Sequence, residues 1–176
     1  MNLEFAPFLI AGSETIAMKL LFGSILFIAI FATLLYGQQK KDYQAFLPDS
    51  ILTPGAILTT SDSRICRKGY AASVRNVSNE IKRKVFKEYH IISHAPREYE
   101  IDHLIPLELG GSNDIKNLWA ESYITKPWNA HVKDYLENRL HRLVCTGKIS
   151  QREAQEKIRI DWIAAYKEFC VQMPLP

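Results

Sequence analysis

The chain has only three cysteines, Cys66, Cys145 and Cys170, and no Cys-x-x-Cys pair. That spacing excludes a zinc knuckle built on paired thiolates. Charge of one sign is also scarce. The formal net charge is +3, an excess that permits an anionic partner without demanding one. No internal repeat occurs. Between Leu20 and Gln39 there is no charged residue at all, and that absence sets the N-terminal stretch apart from the rest.

The run from Leu20 to Leu35 is apolar almost throughout, with Met18-Lys19 just before it. It reads as a secretory signal over 18–37, with Lys19 as a short basic region. Residues 1–17 are then an upstream extension, with Met18 the candidate start. The alternative is a retained anchor over 20–39, because a bilayer span takes about 20 residues. The first reading places the protein outside the inner membrane, periplasmic or secreted; the second ties it to that membrane. In an exported chain of three cysteines the default is one disulfide and one free thiol. A bridge involving Cys145 is favoured, since it ends a helix and could reach either partner.

The 176 residues allow a domain with a real core, and a 47% hydrophobic, 23% charged composition is ordinary for one. Glu4, Glu14 and Lys19 sum to −1, so the chain from residue 40 onward carries +4 by the same count. Residues 38–64 read as a linker, with Pro48, Pro54-Gly55 and the run Thr59-Thr60-Ser61-Asp62-Ser63. An ordered domain over 65–170 and a short tail over 171–176 follow.

Ser78 can cap a helix whose apolar face is Ile81, Val85, Phe86 and Tyr89. Lys82, Arg83, Lys84 and Lys87 lie mostly off that face, as a solvated basic surface or a phosphate-contacting one. Glu98 to Leu109 reads as extended and broken by Pro106, with Gly110-Gly111 as the turn. Pro127 suits the first turn of a long helix with Thr125 just before it, and Gly147 ends that helix. Ser150-Gln151-Arg152-Glu153 is a capping box that opens a last helix. Strand, loop and helices in this order predict an α+β fold with a short β-hairpin.

Ile101-Asp102-His103 closes the strand, and Asn117-Leu118 comes fourteen residues after the histidine. On a strand, neighbouring Asp102 and His103 point to opposite faces. One can hold a metal ion while the other abstracts a proton, a division that suits metal-assisted phosphodiester hydrolysis. His103 has the pKa range of a general base. Asp102 offers a hard oxygen for Mg2+ or Mn2+. Asn117 could fix the His103 tautomer, its amide or the nearby backbone carbonyl accepting the other ring proton; alone, it reads equally as a loop residue bonding its own backbone. A further ligand is sought on the next helix, Asn129 first and His131 second. Lys133, one turn from Asn129, could contact a substrate phosphate. Each of the three also reads as a residue facing water. His90, His94 and His141 have no ligand spacing.

These residues resemble the HNH endonucleases of the ββα-metal nuclease superfamily. The match runs through Asp102-His103, Pro106, Gly110-Gly111 and Asn117-Leu118. It is closest to small exported bacterial proteins with an Asp-His-Leu-Ile-Pro-Leu-Glu-Leu-Gly-Gly core, an Asn-Leu-Trp and a Trp-Asn-Ala-His-x-Lys-Asp helix. It covers about residues 64–170 and is more specific than any one dipeptide. The resemblance implies a hairpin and helix gripping one divalent ion, with His103 as general base, Asp102 as ligand and Asn117 orienting the base. In the family an Asn or His on the helix completes the site, which fits Asn129 or His131. It also implies a nucleic-acid substrate, DNA or RNA, and action as a monomer. The alternative is an HNH-like module that binds nucleic acid or an envelope partner without cleaving. Two departures stand out: the Cys-x-x-Cys pairs of many relatives are missing, and the interval from Asn117 to the helix is long.

Overall fold

Tyr99–His103 suits a part-buried strand, and Leu118–Ser122 a strand buried at four of its five residues. In the computed structural model, which describes residues 27, 28, 30–39 and 43–170, β1 (Tyr99–His103) pairs antiparallel with β2 (Leu118–Ser122). Asp102 lies opposite Trp119 and Glu100 opposite Glu121. Period-two alternation therefore puts Glu100, Asp102, Trp119 and Glu121 on one face, and Ile101, His103, Leu118 and Ala120 on the other.

The chain divides into two units, Met1–Tyr43 and Gln44–Pro176. In the first, residues 27, 28 and 30–39 are helical (α1). Among the described residues no helix is long and apolar enough to cross a membrane. The proposed extension 1–17, the start of the apolar segment and the tail 171–176 lie outside the described residues.

The second unit is α+β. Short helices α2 (Asp62–Ile65) and α3 (Tyr70–Val74) precede α4 (Asn79–Glu88). Ser78 caps α4 as its sequence suggests, its Oγ accepting from the Ile81 amide at 3.2 Å. After the hairpin come α5 (Ala130–Cys145) and α6 (Gln151–Phe169). The Ser150 Oγ accepts from the Glu153 amide at 3.1 Å, so the capping reading holds there too. Leu136 and Leu140 of α5 meet Ile158, Trp162 and Ile163 of α6 in the core. Trp128 stands edge-on to Trp162 and Tyr166, with ring centroids 5.8 and 5.6 Å away. Cys66 and Cys145 form the disulfide, tying the end of α2 to the end of α5, and Cys170 is buried and free.

Three local expectations need correction. The extended run does not reach Leu109. It ends at His103, and Pro106, with φ −64° and no amide proton, leads into a 3-10 turn over Leu107–Leu109. The long helix does not start at Pro127. It starts at Ala130, because the Asn129 Oδ1 caps the Val132 amide at 3.2 Å. Nor are all of residues 38–64 linker. The Thr53 hydroxyl donates to the Leu118 carbonyl at 2.8 Å, and the Gly55 and Leu58 amides donate to the Lys116 and Gly110 carbonyls at 2.9 and 2.8 Å. Composition marks this stretch as irregular, but its backbone groups are paired with the hairpin loop.

That loop is closed from several sides. Gly110 sits at φ +85°, where only glycine rests without strain. Gln151 and Gln155, one turn apart on α6, each donate Nε2 to both the Thr59 and Leu109 carbonyls at 2.7–3.1 Å. A Cβ on Gly111 would lie 1.7 Å from the Ile105 carbonyl oxygen, with backbone on both sides of the clash. Gly111→Ala is expected to cost about 3 kcal/mol in urea unfolding, because neither backbone segment can retreat. A loss below about 0.5 kcal/mol, the range of a neutral surface change, would refute the packing argument.

Candidate active site at the Asp102–His103 strand end

On the Asp102 face the partner is Lys133, from the first turns of α5. Its Nζ donates to the Asp102 Oδ2 at 2.5 Å, to the His103 carbonyl at 2.8 Å, and to the Glu137 Oε1. Its side chain is 0% exposed. An ammonium has three protons, and here each has an acceptor. The Glu121 Oε2 lies 3.9 Å away, and neither of its carboxylate oxygens has a hydrogen-bond partner.

The charges follow from this packing. Burial works against the Lys133 charge, but Asp102, Glu137 and Glu121 outweigh it and hold its pKa well above the usual lysine value. Burial alone would raise Asp102; Lys133 overrides that and brings the carboxyl below its usual range. Glu121 and Glu137 are pushed well up by burial, with Lys133 only partly opposing. The cluster is a charged Asp102–Lys133 pair with two carboxyls that favour the neutral form.

On the opposite face, the His103 Nε2 faces the Asn113 Oδ1 at 3.2 Å. Asn113 has its own anchors: its Nδ2 donates to the Val74 carbonyl at 2.7 Å, and its Oδ1 accepts from the Asn76 amide at 3.1 Å. The amide is therefore oriented with oxygen toward the ring, so Nε2 carries the proton and Nδ1 keeps a free lone pair. Nδ1 is buried with no hydrogen-bond partner, and His103 as a whole is 1% exposed. Burial pushes the imidazole below its ordinary value; Asp102 and Asn113 act against this, and Arg75 and Lys133 with it. Arg75, exposed at the end of α3, is thus within electrostatic reach of the ring.

The residues expected to complete the site take other places. The Asn117 amide does not touch the ring. Its Oδ1 accepts from the Ile105 amide at 2.9 Å, and its Nδ2 donates to the Ile105 and Ser112 carbonyls at 2.9 Å each. Its own carbonyl accepts from Leu104 at 2.8 Å. It fixes the backbone just after His103, while Asn113 holds the ring. Asn129 caps α5 and donates its Nδ2 to the Thr125 carbonyl at 3.1 Å, so its amide is engaged in the helix start. His131 is exposed, its ring 5.1 Å from that of Tyr123. Lys133 is buried and saturated, which removes it as a phosphate contact.

The expected ion does not fit this donor set. Asp102 has an ammonium on its Oδ2, Asn129 is engaged at the helix start, and His131 is exposed beside Tyr123. Among the described residues, the His, Cys, Asp or Glu ligand atoms that gather within 4.8 Å are those of Cys66, His141 and Cys145. Those two sulfurs are bonded to each other, so neither is a thiolate.

Sequence reasoning passed over Asn113, Arg75, Glu121 and Glu137. The spacing of Lys133 and Glu137, one helical turn apart, was a usable signal. So was the strand alternation that puts Glu121 on the Asp102 face. Comparison with protein-family models, with curated proteins and with solved structures finds no match to this chain.

Proposed function

We propose that this chain is an HNH-type endonuclease that hydrolyses phosphodiester bonds in DNA, with RNA as an alternative substrate. The observation that carries the reading is the His103 imidazole, fixed in one tautomer by Asn113 with the Nδ1 lone pair unengaged. A ring held this way is prepared to accept a proton at neutral pH. A hairpin joined to α5 through Lys133 supports the reading, since the resemblance implies a hairpin and a helix. In this scheme Nδ1 takes a proton from water as the water oxygen attacks phosphorus. The bond to the leaving oxygen breaks, and solvent protonates the alkoxide. Asp102, whose charge favours the protonated ring, stabilises the imidazolium across the strand. The apolar N-terminal segment suits export, to the periplasm or beyond, or anchorage at the inner membrane.

Plasmid nicking by the purified chain tests the reading, and absence of nicking under all conditions would sink it. Arg75, an exposed cation within electrostatic reach of the ring, is the group assigned here to a phosphate oxygen. Arg75→Ala is expected to lower nicking about tenfold through a raised KM, as loss of one charged hydrogen bond would. Unchanged KM would remove Arg75 from the substrate surface. The 1% exposure of His103 favours a second reading: an HNH-like module that binds nucleic acid without cutting it. DNA binding that is unaffected by His103→Ala, in a chain that nicks nothing, would select that reading.

A further inference from the structure

Mg2+ takes near-octahedral oxygen ligands at about 2.0–2.1 Å and keeps several of its waters. An ion shared between Asp102 and the His103 carbonyl would need the space beside Oδ2. That space holds the Lys133 ammonium, 2.5 Å from Oδ2 and 2.8 Å from the His103 carbonyl, with Glu137 as third acceptor. The ammonium cannot step aside cheaply. Its side chain is fully buried, and it is rooted in a helix whose start is pinned by the Asn129 cap one turn earlier. Displacing it would leave a buried charge without acceptors. A divalent ion would also need neighbouring ligands; Asn129 is committed to the start of α5, and His131 stands exposed beside Tyr123.

We infer that Lys133 is the resident cation of this site, so that Asp102 holds no divalent metal ion. The inference deepens the hydrolase reading and rests on it for its catalytic meaning: Lys133 acts as a positioning residue. It fixes Asp102 and the His103 backbone on one face while Asn113 fixes the ring on the other. Its single charge does structurally what an ion does in a metal-dependent centre.

Mn2+ binding to the purified full chain, followed by the loss of the free-ion EPR signal, tests this directly. The wild type and Lys133→Arg are expected to leave the signal unchanged. Lys133→Ala vacates a space bounded by Asp102, Glu137 and a carbonyl, and is expected to take up Mn2+. Nicking by the wild type is expected to be equal in EDTA and in Mg2+. Stoichiometric Mn2+ binding by the wild type that Asp102→Asn abolishes would overturn the inference, as would nicking lost in EDTA and restored by Mg2+. If Lys133→Ala does not fold, the wild-type and Asp102→Asn titrations still decide. A wild type that neither binds Mn2+ nor nicks DNA overturns the hydrolase reading while leaving Lys133 as the site's cation.

Discussion

His103→Ala is expected to lower plasmid nicking by about 10²–10⁴-fold, the usual range for loss of a general base. The wild-type ring offers one free lone pair, at Nδ1, and its other nitrogen is committed to Asn113. Among the described residues no other histidine bonds to Asn113. The pH profile gives an independent check. Only the neutral ring can accept a proton, and burial keeps its pKa below the ordinary 6.5. The rate should rise with pH through that depressed pKa and be flat above it. Stability follows the same sign: the folded ring resists protonation, so stability is full above the unfolded value and lost as pH falls through the folded one. A rate that climbs instead through a pKa above the ordinary value would remove His103 from the base role.

Lys133→Ala is expected to cost about 3–5 kcal/mol in urea unfolding at neutral pH, the range for breaking a buried pair by removing one partner. The penalty comes from what is left behind. Asp102 and Glu137 lose a donor, and Glu121 loses the cation that partly offsets its burial. In the variant these buried carboxyls titrate above their unfolded values. Of the three, Asp102 is the carboxylate that is charged beside Lys133, so the deficit is largest where Asp102 is ionised and shrinks as acid protonates it. Lys133→Met keeps much of the volume and should lose nearly as much, which separates charge from cavity. A Met variant as stable as the wild type would mean that Lys133 only fills space.

Local signals were readable from the chain alone. Ser78, Ser150 with Glu153, and Gly147 mark real helix ends, because capping depends on residues within a turn of each other. The opposite facing of Asp102 and His103 follows from strand geometry in the same way. The α+β arrangement of hairpin and helices was also within reach. What escaped was everything fixed by contacts distant in sequence. Two asparagines, Asn113 and Asn117, stand in one loop, and spacing does not say which meets the ring. The outcome depends on Val74 and Asn76, which grip Asn113 from another element. Lys133 reads as a surface cation until β2 brings Glu121 beside it. Residues 38–64 have the composition of a linker, yet Thr53, Gly55 and Leu58 bond to the hairpin and its loop. Cysteine spacing alone left the partner of Cys145 open between Cys66 and Cys170.

The two glutamines of α6 bear on the order in which the molecule is built. The Thr59 carbonyl receives its side-chain donors from residues 92 and 96 positions later in the chain, and Leu109 depends on the same pair. Contacts of such long separation form late, since chain entropy must be lost before they contribute. During synthesis the stretch from His103 to Asn117 emerges well before the helix that clamps it. The loop between His103 and Asn117 therefore gains its clamp only after residue 155 has been made. A truncated product ending before Gln151 would carry every residue of the Asp102–His103 motif and still lack the clamp on its loop.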